Sequence, residues 1–395
     1  MRSDKVVFLK HLASLGSFPS CISKIRDVRT GTTLFQQAER KRQTDCPDLV
    51  VLQDVPSYLE MEWEHKNTRF KTRTLATQKT YVVDLDQYKD ADAYLNRHFG
   101  PKSRSSLKRY KVRLEGCFKT EFKVYHGEVD KGEYDALFNR LEVLMRRRFN
   151  QKKERNYELQ HLEEIKGDVY PKLLEKQASI FVILANGTPI SIRVNIMKGK
   201  LAFYLLSAYD PNYDVFRVGK LDMWQNIRWL LENDFKKYDL LKGYGYIKEV
   251  WSDSVFDNNL ILFNGGTSLM GRVRFQLLYW RTKCPVFLVG LVKELKLDRT
   301  IKGWMRIIKS RRKEEPFEVQ KLGSGEQSPL PLNGSLRFPT TYNTLDREII
   351  KLAYRHQHRV DEVLVHKIGD GTERYHIQIG AHAYLLKFKS NQGKG

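Results

Sequence analysis

The sequence predicts a mixed α/β protein that forms more than one domain. Its 395 residues exceed what a single ordinary hydrophobic core accommodates. Apolar segments at 179–185 and 190–196 are joined by Asn186-Gly187, a pair that suits a tight β-hairpin, and another strand is predicted at 201–206. Apolar side chains at helical spacing follow between residues 221 and 235 and lead to a short strand. Strands followed by a helix and a further strand indicate an α+β mixed sheet.

The composition is that of a folded and strongly basic protein. Hydrophobic residues make up 41% of the chain and aromatic residues 12%, which is enough for packed cores and excludes a disordered chain. The formal net charge of +22 favours anionic partners. Nucleic acid, coenzyme A, anionic lipid headgroups and acidic glycans all meet that condition, and the charge does not choose among them.

Cysteine usage and hydropathy indicate a reducing compartment. The cysteines show neither Cys-x-x-Cys pairing nor metal-site spacing; they are Cys21, Cys46, Cys117 and Cys284. The segment Met1 to Phe18 lacks the apolar run of a secretory signal, and no apolar window approaches the roughly 20 residues that span a bilayer. We therefore expect a cytoplasmic protein, with association at the inner face of the membrane as the alternative.

A candidate anion site lies at the start of the predicted helix. The run Arg217-Val218-Gly219-Lys220 joins a loop rich in Asp, Pro and Asn to that helix. The first backbone N–H groups of a helix have no internal partner and lie at the positive end of its dipole, so a glycine there lets a phosphate approach them. Arg217 and Lys220 add positive charge on both sides. A tight turn without a ligand is the alternative explanation for Gly219.

Short motifs around this turn resemble one family of enzymes. They are Tyr209-Asp210-Pro211, Gly219 at the helix start, the run from Tyr238 to Gly243, and Lys248 followed three residues later by Trp251. Their order resembles the core of the CelD/BcsL-like branch of the GNAT acyltransferases, which carry a BioF-like acetyltransferase domain. The basic helix predicted at 102–115 is similar to the helix that opens that domain.

The resemblance extends from Tyr81 to Tyr279 and has one departure. The family carries an aromatic residue just before the lysine, whereas this chain has Ile247 there and Tyr246 one position earlier. The resemblance implies a GNAT fold. It also implies that acyl-CoA, with acetyl-CoA as the first choice, binds at the backbone of Arg217, Val218, Gly219 and Lys220, the two cations contacting its pyrophosphate.

The same resemblance implies where the reaction takes place. Lys248 would lie beside the active-site cleft and stabilise a substrate carboxylate or a tetrahedral oxyanion. We expect Asp239 to orient the acceptor or accept its proton, unless it caps the glycine-rich turn instead. We expect Tyr209, with Asp210, to shape the acceptor side, unless the pair forms an Asx-type turn before Pro211.

The chain is predicted to divide into consecutive segments. Residues 1–155 are expected to form an N-terminal GNAT-like half that is partly degenerate, and residues 156–313 the acyltransferase domain with its acyl-CoA loop. Residues 314–341 are rich in Pro and Gly and predict a linker. Residues 342–395 predict a small C-terminal α+β domain, whose histidines lack metal-ligand spacing and are expected to be ordinary polar residues.

Two segments after Trp251 are predicted from hydrophobic patterning. Residues 272–278 alternate polar and apolar side chains and predict the second strand of a hairpin that turns at Asn264-Gly265-Gly266. Residues 287–313 combine apolar and basic side chains and predict a helix that packs on the sheet. The alternative for this helix is a position on a membrane surface, which requires an exposed apolar face.

The leading hypothesis is an enzyme that transfers an acyl group from acyl-CoA to an amine or hydroxyl of a cell-envelope polysaccharide or its precursor. No Ser-His-Asp or Cys-His arrangement is identifiable, so direct attack on the thioester is expected. A Fem-type enzyme that uses aminoacyl-tRNA to extend a peptidoglycan precursor is the second hypothesis, since tRNA suits the positive charge. A non-enzymatic basic adaptor for nucleic acid or an anionic membrane is the third. The sequence does not define an oligomeric state.

Overall fold

The computed structural model describes residues 3–13, 18–37, 48–64, 70–152, 157–243, 245–266, 268–294, 317–323, 332–340, 343–369 and 374–388. The strands are β1 (Ser3–Val7), β2 (Ile22–Asp27), β3 (Thr33–Gln36), β4 (Leu49–Pro56), β5 (Leu59–Trp63), β6 (Lys71–Asp84), β7 (Thr120–Tyr125), β8 (Ala178–Ala185), β9 (Thr188–Lys198), β10 (Leu201–Tyr209), β11 (Lys237–Lys242), β12 (Ser254–Asn264), β13 (Phe317–Lys321), β14 (Leu332–Leu336), β15 (Leu364–Ile368), β16 (Arg374–Ile379) and β17 (His382–Phe388).

The α-helices are α1 (Phe8–Ala13), α2 (Ala91–His98), α3 (Pro101–Cys117), α4 (Lys131–Lys152), α5 (Tyr157–Gln160), α6 (Leu162–Leu174), α7 (Val218–Glu232), α8 (Tyr246–Trp251), α9 (Leu269–Glu294) and α10 (Asn343–His356). A 3₁₀ segment, Pro211–Phe216, precedes α7. None of the helices described is both long enough and apolar enough to cross a bilayer.

The described strands before α9 form two sheets. The larger is a mixed sheet of nine strands in the order β1-β4-β12-β6-β11-β10-β9-β8-β7, and the smaller has three strands in the order β3-β2-β5. The pairs β1–β4 and β10–β11 are parallel, and the other neighbours are antiparallel. The predicted α+β mixed sheet is therefore confirmed. The hairpin between β8 and β9 is confirmed as well, and Asn186 and Gly187 both have the positive φ that its tight turn requires.

The parallel strands β10 and β11 separate after a short contact. They pair where Leu201 to Phe203 meets Lys237 to Asp239, and β10 then continues to Tyr209 along β9. A bulge between Tyr204 and Leu206 bends β10 at the point where the strands part. The sheet therefore contains a gap between two neighbouring strands, and α7 connects those strands.

Apolar clusters cover both faces of the sheet. On one face, α2, α3 and α7 pack around side chains such as Leu107, Leu221 and Ile227. On the other, α1, α4 and α6 pack around side chains such as Phe138 and Leu173. These layers fix the position of α7 relative to the gap, since its inner face is almost completely buried.

The C-terminal strands form a separate sheet, which packs beside the start of α7. Its order is β13-β17-β16-β15-β14, and α10 contacts β16 of this sheet as well as the 3₁₀ segment and α3. Tyr354 of α10 packs edge-to-face on Phe216, with ring centroids 5.1 Å apart, and Arg113 of α3 lies 4.5 Å from the Tyr354 ring centroid. Strands β13 and β14 come from the segment predicted as a linker, and the division of the chain into four segments stays a prediction.

The hairpin predicted after β12 is wrong. Residues 272–278 lie in α9, where Phe275 is buried against Leu260 and Leu262 of β12. The alternating pattern contains a helical pattern as well, because Phe275, Leu278 and Tyr279 recur at the spacing of one helix face. The predicted helix at 287–313 overlaps α9 as far as Glu294, and its remainder lies outside the described residues.

Candidate active site

The donor turn, which we define as Arg217 to Lys220, has the backbone of an open helix start. Arg217 adopts left-handed φ and ψ of 53° and 43° between the 3₁₀ segment and α7. The N–H groups of Lys220 and Leu221 donate to the Arg217 carbonyl at 2.7 and 3.2 Å. Those of Val218 and Gly219 are the first two of α7 and have no acceptor inside the helix. The Val218 side chain is buried, while Arg217 and Lys220 are exposed.

Gly219 is in close contact with Tyr209. A Cβ atom on Gly219 would lie 3.1 Å from Cε1 of the Tyr209 ring, closer than a side chain normally approaches. The Arg148 guanidinium lies 5.0 Å from the centroid of the same ring. Burial raises the pKa of Tyr209. The structure thus places Tyr209, predicted on the acceptor side, directly beside the donor turn.

Lys248 lies on α8, which follows β11 across the gap. Its Nζ donates to the carbonyls of Lys242, at 2.8 Å, and Leu241, at 3.3 Å, and lies 5.8 Å from the Tyr204 ring centroid. Burial lowers the pKa of Lys248 to about 8, against the opposing influence of Asp239 and another carboxylate. An ammonium group with this pKa is partly deprotonated near neutral pH, which is uncommon for a structural lysine.

Asp239 is buried and accepts hydrogen bonds from three donors. They are the Tyr58 hydroxyl at 2.6 Å, the Thr80 hydroxyl at 2.7 Å and the backbone N–H of Leu241 at 2.7 Å. Burial raises the pKa of Asp239, although these hydrogen bonds oppose the shift. The bond to Leu241 holds a residue with a φ of 63°, whose carbonyl receives Lys248. The geometry therefore favours turn capping, which the sequence left open.

A cavity of about 460 Å³ lies on the face of the sheet opposite α7. Its walls include Phe203 and Leu205 of β10 and Leu241 of β11, so it borders the gap. Glu158 of α5 also lines it, and the residue is partly accessible to solvent. Desolvation by the protein atoms around its carboxyl group raises the pKa of Glu158, and the positive charges of Lys248 and Arg148 oppose the shift.

Lys248 lies at the gap and interacts with groups on both faces of the sheet. On one side the lysine approaches Tyr204, which belongs to the apolar cluster around α7. On the other it is electrostatically coupled to Glu158 of the cavity. Sequence reasoning missed both Tyr204 and Glu158. Tyr204 gave only a strand signal, and Glu158 lies about ninety positions before Lys248, so no local pattern relates the two residues.

A buried polar network fixes α7 to the strands beside the gap. Arg193 of β9 donates through Nε to the Asp222 carboxylate of α7 at 2.8 Å and through Nη1 to the Tyr238 hydroxyl of β11 at 2.9 Å. The Tyr238 hydroxyl donates to Asn195, which in turn donates to Asn226 of α7. Because buried charges are costly unless they are paired, this network holds the helix in one position.

A smaller cavity of about 260 Å³ opens beside the donor turn. It lies between α3, α8 and the exposed side chain of Lys220. Tyr246 and Ile247 both line it, so the aromatic residue displaced by one position still faces this space. Among the residues that the structure describes, no group of three or more His, Cys, Asp or Glu side chains is arranged to hold a metal ion.

Residues 101–249 match the family model described as an acetyltransferase (GNAT) domain. The match contains the donor turn, both strands that border the gap, Asp239 and Lys248. The segment is a GNAT domain, and the protein is an acyltransferase enzyme. The narrower CelD/BcsL-like assignment stays a prediction.

Several solved structures are similar to part of the chain. FemX is 11% identical over 55% of this chain and 72% of its own, with a TM-score of 0.39. L-PGS from Bacillus licheniformis is 15% identical over 58% and 71%, with a TM-score of 0.35. A tandem GNAT protein from the clavulanic acid biosynthesis pathway is 9% identical over 56% and 66%, with a TM-score of 0.31. No curated protein sequence matches the chain significantly.

Proposed function

We propose that this enzyme transfers an acyl group from acyl-CoA, with acetyl-CoA as the first choice, to an acceptor by direct attack on the thioester. The observation that carries the proposal is the gap between β10 and β11, with unpaired backbone amides of α7 on one side and Lys248 on the other. A diphosphate fits the N-terminus of α7, where Val218 and Gly219 supply N–H groups and Arg217 and Lys220 supply charge.

Lys248 stabilises the charge that develops during the transfer. The acceptor nitrogen or oxygen forms a bond to the thioester carbon, the carbonyl oxygen gains negative charge, and the carbon–sulfur bond then breaks to release the thiolate. Two of the three Lys248 donors are held by the carbonyls of Leu241 and Lys242, which fixes the ammonium at the gap. A fixed cation of this kind is effective because it needs no reorganisation during the reaction.

Glu158 is our candidate for the group that receives the acceptor's proton. Its raised pKa makes its carboxylate a better base than an ordinary surface glutamate. It lines the cavity on the side opposite the donor turn, so the acceptor would enter from there. The proton then passes to the departing thiolate. Glu158 is thereby returned to its ionised form, and the total charge of the reactants equals that of the products.

The cavity walls restrict the acceptor. They are mainly apolar and include Phe8, Leu9, Phe203, Ile165 and Val169. We therefore propose a cell-envelope glycan precursor that carries an apolar portion beside its amine or hydroxyl. Transfer from aminoacyl-tRNA is the second candidate, and the net charge of +22 is the observation that favours it.

Calorimetric titration with acetyl-CoA tests the donor assignment. Gly219→Glu adds a side chain against Tyr209 and a negative charge beside the diphosphate, so we expect at least a tenfold loss of affinity. The new carboxylate lies in the first turn of α7, where it interacts favourably with the helix dipole. A loss of binding is therefore not explained by a weaker helix dipole interaction. Gly167→Glu, at an exposed helical glycine with no atom near its Cβ position, is the matched control.

Two results would contradict the acyl-CoA assignment. One is the absence of acetyl-CoA binding by the unaltered protein, and the other is equal affinity of the Gly219→Glu and Gly167→Glu variants. Binding of tRNA that weakens steeply between low and moderate salt would then support the aminoacyl-tRNA alternative.

A further inference from the structure

Helix α9 exposes a continuous apolar surface, which we name the α9 stripe. Its side chains are between 47% and 77% exposed; they are Leu269, Met270, Val273, Leu277 and Trp280. At 100° per residue, these positions fall within an arc of roughly 100° on the helix. Isolated exposed apolar residues are normal on a protein surface, but a continuous stripe on one helix marks an interaction surface.

The opposite side of α9 packs against β12 in the part of the helix up to Tyr279. Phe275 is buried and packs with Leu260 and Leu262 of β12, and Leu278 and Tyr279 pack against the same cluster. The helix is therefore anchored to the sheet on one side. Its stripe faces away from the protein and is not a displaced part of the core.

Positive charges flank the α9 stripe along both edges. On a helical projection, Arg274 and Arg281 lie on one side of the stripe, and Arg272 and Lys283 lie on the other. Lys283 also lies 5.2 Å from the ring centroid of Trp280. The α9 sequence contains no acidic residue before Glu294. The surface thus combines apolar side chains, an amphipathic indole ring and cations, without any compensating acid.

We propose that the α9 stripe binds the surface of a bilayer that contains anionic lipids. An amphipathic helix in this position buries its apolar arc at the boundary between headgroups and acyl chains, while flanking cations contact the headgroups. A second copy of the protein is a poorer occupant, because stripe-to-stripe packing would bring the flanking cations of two helices together. The sequence analysis considered a membrane-surface helix at 287–313, which requires an exposed apolar face. The α9 stripe provides such a face, but it precedes that segment.

Vesicle co-sedimentation of the full chain tests this proposal. One set of vesicles contains phosphatidylcholine alone, and the other replaces one third of it with phosphatidylglycerol. We expect binding to the anionic set alone and at least a tenfold weaker partition of the Leu277→Ser/Trp280→Ser variant. The control is Val255→Ser/Leu364→Ser, which removes equally exposed apolar side chains elsewhere. Both variants keep the net charge, so a difference between them isolates the apolar contact.

The outcomes separate the proposal from its competitors. Thermal melting should show that neither variant is less stable than the unaltered protein, since every altered side chain is exposed. Failure of the unaltered protein to sediment with anionic vesicles would overturn the proposal. Equal sedimentation of the stripe variant and the control would also overturn it, since charge alone would then explain binding. A dimer that the stripe variant abolishes, without vesicle binding, would assign the stripe to a second copy.

Discussion

We expect the ionisation of Lys248 to control the rate of the proposed transfer. Its ammonium is held by two carbonyls and its pKa is lowered to about 8 by burial. If the charged form stabilises the oxyanion, activity is present below this pKa and is lost as the pH rises through it. We therefore expect kcat/KM for acetyl-CoA to fall above a pH of about 8.

Substitutions of Lys248 check this assignment. Lys248→Arg keeps the charge to higher pH and should move the falling limb upward, because guanidinium does not deprotonate in this range. Lys248→Met should lower the rate at neutral pH by about 10²- to 10³-fold, the usual effect of removing one donor to an oxyanion. If the rate instead rose through pH 8, and Lys248→Met abolished that rise, Lys248 would act as a base.

At this scale, the sequence predicts the two sides of the candidate site from different kinds of pattern. The donor turn is a local feature, because four consecutive residues and the helix they open carry the phosphate-binding pattern. Glu158 and Tyr204 depend on contacts between distant segments. The role of Asp239 depends on Tyr58 and Thr80, which lie far away in the sequence, so its capping of Leu241 required the structure.

The position of α7 depends on its buried polar network. Arg193 and Asp222 are 3% and 2% exposed, so removal of one partner leaves an uncompensated charge in the core. We expect Asp222→Ala to lower the free energy of unfolding by about 3–5 kcal/mol, measured by urea denaturation. The same helix supplies a control, since Glu232→Ala removes an exposed ion pair with Arg228 and should cost less than about 0.5 kcal/mol.

A double variant separates charge from packing in this network. Arg193→Met/Asp222→Leu removes both charges and should restore part of the stability lost in Asp222→Ala. If the single and double variants were equally unstable, the destabilisation would come from lost packing and not from an unpaired charge. Acetyl-CoA affinity measured in the double variant then reports how far the network positions the donor turn.

Secondary-structure predictions were correct where turn residues defined the connection between two strands. Asn186 and Gly187 have the backbone angles of a tight turn, and the β8–β9 hairpin follows the prediction. The segment at 272–278 failed because its apolar residues fit two periods. As a strand, Val273, Phe275 and Leu277 would share one face, whereas in α9 Phe275 is buried and Val273 and Leu277 are left in solvent. The tertiary contact with β12 decided between these patterns, and the sequence does not contain it.

At the scale of the whole molecule, packing contacts link the C-terminal sheet to the segment that precedes the donor turn. Helix α10 packs on the 3₁₀ segment just before Arg217, where Tyr354 contacts Phe216. The Tyr354 ring also contacts Arg113 of α3. Phe216 is completely buried in its contact with Tyr354. The sequence predicted a small C-terminal domain without any role. In the structure, α10 of this predicted domain packs on the backbone that leads into α7.

This connection predicts that a residue outside the GNAT match affects donor binding. Tyr354→Ala removes an aromatic pair and a cation–π contact, interactions of about 0.5–1.5 kcal/mol each, and so loosens the segment before Arg217. We expect the Kd for acetyl-CoA to rise by roughly three- to tenfold, since the turn must then be ordered on binding. Phe388→Ala removes a half-exposed aromatic ring on β17 of the same sheet, beside the edge strand β13, and should leave the Kd unchanged. Equal Kd values for the two variants, with lower thermal stability in both, would mean that α10 stabilises the fold without shaping the donor turn.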